Sequence, residues 1–287
     1  MLAAASVSFE FFTPRSTQGV EELCAPQGRL SNYAALGPTF VSVSGAAGGN
    51  TLALLESIKK MHCIRAQLHL PRAELSEDAV VSLVDGAMRV GVADVLVLGG
   101  APGSVQQAAA GGFGSATDLV TFLKKRYGGR LRVAVCGYPC GARGEAGDHA
   151  ADLKQTALQV AAGAECVMSL PIFDVASYKT YVDELRAAGV GAAVPVLPGI
   201  LPLCAPAEFR RLCRSLHLTP PAEVEAQLNA ATTAQAVAAT SRSSLAALTR
   251  ALRDARMGAP HIYTLNSAEL VADLAAAGYR PLKHRCA

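Results

Sequence analysis

A carboxylate set among aromatic rings is the first residue in this chain with the makings of an acid. Glu10 lies in Ser8-Phe9-Glu10-Phe11-Phe12. A carboxyl group in an apolar setting holds its proton to higher pH, so it can donate that proton near neutrality. The competing role is structural, an inward-pointing Glu tied into backbone hydrogen bonds. His69 ends a second apolar run, Gln67-Leu68-His69-Leu70, where an imidazole either meets a ligand or hydrogen-bonds to a neighbouring loop. Gly45-Ala46-Ala47-Gly48-Gly49-Asn50 precedes a helical segment, and backbone N–H groups there could cradle a phosphate. Neither a Walker lysine nor a G-x-G-x-x-G pattern accompanies it, so it reads as a turn. Cys136 and Cys140 lack a second Cys or His pair at zinc spacing and read as packing residues.

The elements that must position these residues alternate. Short β-rich runs occur at 7–11, 40–43, 65–68, 95–98, 132–136, 166–169, 194–197 and 261–263. Between them lie amphipathic or Ala/Leu-rich segments at 50–60, 76–90, 116–127, 150–162, 177–188, 207–216 and 234–256, most opened by a capping residue. An additional short helix is expected over 219–227, with Pro220 and Pro221 at its start. Val95-Leu96-Val97-Leu98 is continuously apolar, as a parallel strand covered on both faces should be. Eight β-then-α units with no composition break predict an α/β chain forming one single (β/α)8 TIM barrel over residues 1–287. Gly and Pro concentrate after the strands, at 45–49, 99–103, 137–147 and 198–202, the end where barrel active sites lie.

Composition excludes several classes. Hydrophobic residues make up 51% and charged residues 17%, with a net charge of +3, and the Lys and Arg are scattered, which argues against nucleic acid. Trp is absent and aromatics are 5%, which leaves no stacking platform for bases. No apolar run has the length of a membrane span, and the first six residues are too short for a secretory signal. The eight dispersed cysteines read as reduced and mostly buried, compatible with cytosol or mitochondrial matrix.

The run Ser8-Phe9-Glu10-Phe11-Phe12-Thr13-Pro14-Arg15 resembles the first-strand signature of the methylenetetrahydrofolate reductase family. The resemblance continues in order through Phe40-Val41-Ser42-Val43-Ser44, Gln67-Leu68-His69-Leu70, Gly137-Tyr138-Pro139, Ala151-Asp152-Leu153-Lys154, Phe173-Asp174, Pro198-Gly199-Ile200-Leu201-Pro202 and Tyr263-Thr264-Leu265-Asn266. It implies a barrel that holds FAD, is reduced by NADH or NADPH, and makes methyltetrahydrofolate from methylenetetrahydrofolate. It implies Glu10 as general acid and Ser44, His69, Tyr138 and Asp152 as flavin-binding residues. From the residues alone, Tyr138 could equally be a packed aromatic, and Asp152 a helix-start carboxylate.

The departures from the family pattern are selective. Where the family has Leu-Arg-Gly-Asp after the fourth strand, this chain has Leu98-Gly99-Gly100-Ala101; where it has a folate-contacting Gln after the sixth, this chain has Leu170. A phosphate-contacting Lys becomes Gln159, Leu-Asn-Arg becomes Leu265-Asn266-Ser267, and the histidine after the Tyr-Pro pair falls within Gly141-Ala142-Arg143. Each polar partner lost from a buried ligand costs about 1–3 kcal/mol. The resulting expectation is a barrel with lost or altered catalysis, serving as a binding or structural subunit with protein partners in a larger assembly. The alternative is an active FAD-dependent reductase using NAD(P)H, with folate as its substrate. A flavoprotein acting on a less polar substrate is a third reading, because Ala101 and Leu170 make the pocket more apolar.

Overall fold

The computed structural model describes residues 6–45, 49–99, 109–139, 149–216, 218–277 and 279. Ala101, Cys140, Arg143, Cys286 and most of the glycine-rich turns at 99–103 and 137–147 lie outside the described residues. Eight strands, β1 Ser8–Phe12, β2 Val41–Ser44, β3 Ala66–Pro71, β4 Asp94–Leu98, β5 Arg132–Gly137, β6 Cys166–Pro171, β7 Val196–Ile200 and β8 His261–Tyr263, follow the eight β-rich runs. They close in chain order into a barrel, all parallel, with β1 pairing to both β2 and β8.

The helices are α1 Thr17–Cys24, α2 Arg29–Ala34, α3 Gly49–His62, α4 Glu77–Arg89, α5 Ala116–Tyr127, α6 His149–Ala161, α7 Val175–Ala187, α8 Pro206–Ser215, α9 Ala222–Ala230, α10 Ala234–Asp254 and α11 Leu270–Ala276. Ser76, Ser115, Asp174 and Thr233 cap α4, α5, α7 and α10 through side-chain bonds to a backbone N–H. The extra helix expected over 219–227 is α9, shifted by a few residues. Sequence periodicity missed α1, α2 and α11, which are only eight, six and seven residues long.

Strand geometry sorts the side chains into two cores, because successive residues of a strand face opposite sides. Phe9 and Phe11 point outward and meet the ring of Tyr33 from α2 edge-on, at 4.9 and 5.1 Å between centroids. Inside the barrel, Phe40, Leu96, Ala134 and Met168 form a buried layer. Nearer the mouth, Cys136, Leu170, Leu201, Leu203, Phe209 and Tyr263 form a second apolar cluster.

Two polar arrangements fix the barrel. At the floor, Asp94 at the start of β4 is buried and receives paired bonds from Arg65, at 3.1 and 2.7 Å, and from Arg132, at 2.7 and 2.7 Å. At the mouth, the Thr264 N–H and hydroxyl both donate to the Glu10 carbonyl, at 3.0 and 2.6 Å. The Asn266 side chain then accepts from the Phe12 N–H at 3.0 Å and donates to the Phe12 carbonyl at 2.9 Å. Leu265 and Asn266 both take a left-handed backbone, φ 52°, and that turn brings the Asn266 amide alongside β1.

Gly199 has a separate steric reason. A side chain there would strike the backbone of Ser169 and Leu170, at the point where the β6–β7 register shifts between Met168 and Pro171.

Burial raises the cost of ionising Asp94, but the bonds and charges of Arg132 and Arg65 outweigh it, and its pKa lies below the usual aspartate value. A lowered folded-state pKa gives stability that is present above the unfolded pKa, about 3.9, and is lost as pH falls through the folded value. Asp94→Ala should therefore lower unfolding free energy by about 2 kcal/mol at pH 7, a figure discounted because both arginines are half exposed. In urea denaturation, the gap between wild type and variant should hold down to about pH 4 and narrow below it.

Candidate functional site

The inward face of β1, β2, β3 and β8 is polar. Period-two alternation lines up Ser8 and Glu10 on β1, Ser42 and Ser44 on β2, Gln67 and His69 on β3, and His261 on β8, all buried. The strand register sets Glu10 level with Ser42 on one side and Tyr263 on the other, and Ser8 level with His261.

Glu10 is flanked by two imidazoles. Its Oε2 lies 3.5 Å from His261 Nε2 and 4.0 Å from His69 Nε2. His261 Nδ1 shares a 2.8 Å hydrogen bond with the Ser8 hydroxyl, and its ring stacks on Phe40 at 5.6 Å. His261 Nε2 is buried and has no closer partner, so Glu10 is the group it serves. Ser8 can donate to Nδ1 or accept from it, which leaves His261 free to carry its proton on either nitrogen. His69 Nε2 bonds to the Ser42 hydroxyl, which donates to the Gln67 carbonyl oxygen at 3.0 Å. With that hydroxyl proton committed to Gln67, His69 must be the donor to Ser42.

Burial works to raise the Glu10 pKa. The charge on His69, the closeness and charge of the His261 ring and the Ser44 hydroxyl together outweigh it, so the carboxyl titrates below the ordinary glutamate value. His69 is also lowered, because burial disfavours its cation more than Glu10 favours it, and His261 adds repulsion. These two shifts conflict, since the His69 charge that holds Glu10 down is the charge that burial removes. Sealed inside the barrel, the His69 ring rests neutral, and the His261 and Ser44 side chains remain beside the Glu10 carboxyl. The arrangement is a buried acid–base cluster, a carboxylate within 4.0 Å of two imidazoles.

This differs from the setting expected of Glu10. Phe9 and Phe11 face the helices, on the opposite side of the strand from the carboxylate, so they cannot raise its pKa. Phe12 does share its face and stands 39% exposed at the mouth.

A cavity of 950 Å³ opens above this unit, lined by Glu10, Phe12, Arg15, Asn50, Arg211 and Tyr263, among others. Of the sequence-predicted residues, the barrel brings Glu10, Ser44 and His69 together, and among the described residues only Glu10 lines the cavity. Ser44 is buried, its hydroxyl 3.5 Å from the Phe11 carbonyl. Tyr138 packs with the apolar mouth cluster on the far side. Asp152 is buried in the first turn of α6, where its charge complements the helix dipole. Gln159 is buried seven residues further along that helix, about 10 Å farther from its start. Ser8, His261, Ser42 and Gln67 escaped the sequence reading, although polar residues two apart in otherwise apolar strands were a visible signal.

A family model described as methylenetetrahydrofolate reductase matches residues 2–277. The chain belongs to the methylenetetrahydrofolate reductase family. The 5,10-methylenetetrahydrofolate reductase of Escherichia coli (strain K12) is 33% identical over 204 residues, covering 69% of this chain and 64% of that protein. Methylenetetrahydrofolate reductase (NADH) 1 of Arabidopsis thaliana is 31% identical over 236 residues, covering 77% and 39% respectively. The chain thus spans less than half the length of the plant and yeast relatives it matches. A solved structure of a Clostridium thermocellum protein that binds two copies of 5-methyl-5,6,7,8-tetrahydrofolic acid aligns over 96% of this chain and 94% of that one. Its TM-score is 0.63 at 10% identity, a likeness of fold.

Because the His69 pKa is lowered in the fold, the unfolded chain binds the extra proton first as pH drops. Its contribution to stability is complete above about pH 6.5, the unfolded value, and is lost as pH falls toward the folded one. Wild type should therefore lose unfolding free energy between pH 7.5 and pH 5.5, and His69→Gln should show a shallower loss over that interval. Equal slopes in denaturant titrations would mean that His69 does not titrate in this way.

Proposed function

We propose that this chain is a ligand-binding member of the methylenetetrahydrofolate reductase family that does not perform the reduction, and that it serves as a binding or structural subunit of a larger assembly. The observation that carries this reading is the packing of Leu170, the residue that takes the place of the folate-contacting glutamine. Leu170 is not a bare substitution at an open site. It is buried with Leu201, Leu203 and Phe209, and helix α8 closes over that side of the mouth. Ser169 locks the strand end there, donating to the Leu170 carbonyl at 2.8 Å and accepting from the Gly199 N–H at 3.0 Å.

Of the four residues that the resemblance assigns to FAD, none lines the mouth cavity; His69 is tied to Ser42, and Asp152 is buried on α6. The ligand class we assign to the mouth is a reduced folate, supported by the family and by the folate-binding protein that shares the fold.

A second reading has its own observation. The Glu10, His261 and Ser8 array is complete, which favours a working reductase that would take FAD as cofactor and NAD(P)H as electron donor.

Absorption and turnover separate the two. Purified protein should show no flavin bands, and with added FAD and either NADH or NADPH it should not turn over methylenetetrahydrofolate. Restoring Ala101→Asp and Leu170→Gln together should strengthen 5-methyltetrahydrofolate binding more than either change alone. Leu170→Gln by itself should cost about 1–3 kcal/mol of stability, as an amide buried among apolar groups. Yellow protein whose turnover collapses in Glu10→Gln, with flavin binding unchanged, would establish the reductase instead.

A further inference from the structure

The mouth cavity has opposite electrical character at its two ends. Glu10 lies at its base, with 6% of its side chain exposed. Two guanidinium groups line its upper part, Arg15 from the loop after β1 and Arg211 from α8, and no second carboxylate lines it among the described residues.

These two arginines are less firmly held than their neighbours. Arg29 on α2 donates to the Asn266 carbonyl at 2.9 Å. Arg210 on α8 donates to Glu225 and Asn229, at 2.7 and 2.6 Å. Among the described residues the Arg15 guanidinium makes no hydrogen bond or ion pair. Arg211 reaches only Glu208, one helical turn back, at 3.7 Å with both side chains more than half exposed. A pair so exposed contributes little.

The backbone beneath Arg15 is nonetheless fixed. Asn50 Nδ2 donates to the carbonyls of Pro14 and Arg15, at 3.2 and 3.1 Å, and Ser16 caps α1 directly afterwards, accepting from the Gly19 N–H at 3.1 Å. A cation on a braced loop and a second, weakly paired cation on α8 thus line one cavity, and an anion bound there would gain attraction from both.

We propose that Arg15 and Arg211 form an anion clamp for the charged end of an elongated ligand whose protonatable head reaches Glu10. The proposal rests on the reading of the mouth as a ligand site. The recognised chemistry is a carboxylate or phosphate group carried on a heterocyclic head, which the planar guanidinium fork binds through paired hydrogen bonds. The glutamate carboxylates of a folate and the diphosphate of a flavin dinucleotide both answer that description. The cavity volume of 950 Å³ suits a molecule of that size.

Calorimetric titration of the full chain tests the clamp, using wild type, Arg15→Gln, Arg211→Gln and the double variant. Arg214→Gln serves as control, since Arg214 is on α8 but outside the cavity lining. The probes are 5-methyltetrahydrofolate against tail-less 5-methyltetrahydropteroate, FAD against riboflavin, and inorganic tripolyphosphate. All variants should melt with wild type, because both arginines are exposed and make no strong bond.

One tailed probe should bind at least about tenfold more tightly than its tail-less partner. Each cavity variant should lose about tenfold on that probe alone, and the control should lose nothing. The pair that separates identifies the source of the anion. Equal binding of both members of each pair, or a double variant that binds like wild type, overturns the clamp. If wild type binds none of the four organic probes, the ligand reading of the mouth falls, and tripolyphosphate alone decides the clamp: saturable binding lost in the double variant sustains it, and no saturable binding overturns it.

Discussion

The seam between the first and last strands sets the geometry on which both the barrel and its site depend. A closed sheet has no edge, so every strand must find two partners, yet β8 is only three residues long. Thr264 and Asn266 complete the closure by bonding the backbone of Glu10 and Phe12 directly. The same bonds hold Glu10 level with Tyr263 of β8, its carboxylate within 3.5 Å of His261. A weaker seam would spread the barrel and separate the carboxylate from its imidazole in one movement. That coupling gives Tyr263-Thr264-Leu265-Asn266 a structural reason to accompany Ser8-Phe9-Glu10, independent of any ligand.

The barrel interior is divided along its circumference. Strands β1, β2, β3 and β8 send hydroxyls, an amide, imidazoles and a carboxylate inward, and several of these hydrogen-bond to one another. Strands β4 to β7 send Leu98, Cys136, Tyr138, Leu170 and Leu201 toward the mouth, where α8 and α9 cover them. The polar half can handle a proton and the apolar half can hold a flat hydrophobic surface. The cavity opens where the halves meet. The floor pairing of Asp94 with Arg65 and Arg132 lies at the opposite end and bears on stability alone.

Much of this architecture was legible from the sequence. Eight apolar runs separated by capped helical segments located every strand, because a parallel strand buried on both faces leaves a continuous hydrophobic signature that requires no knowledge of its neighbours. The short helices α1, α2 and α11 were not legible; their burial against the barrel, rather than any intrinsic period, holds them in place. Glu10 and His69 stood out as the ionisable residues of otherwise largely apolar runs, and the family resemblance named them too. Ser8, Ser42 and Gln67 have unremarkable side chains whose importance comes only from the partner that closure brings to each.

The sequence by itself determined the order and alternation of the elements, and therefore which residues share an inward face, since strand periodicity is a local property of the backbone. The electrostatic state of Glu10 belonged to the tertiary structure. Read locally, Phe9 and Phe11 surround the carboxylate and should raise its pKa; in the barrel they point to the helices, and residues up to 251 positions away along the chain replace them as its surroundings. A pKa answers to charges and hydrogen bonds within a few ångströms, and only the closing of the barrel decides which groups those are.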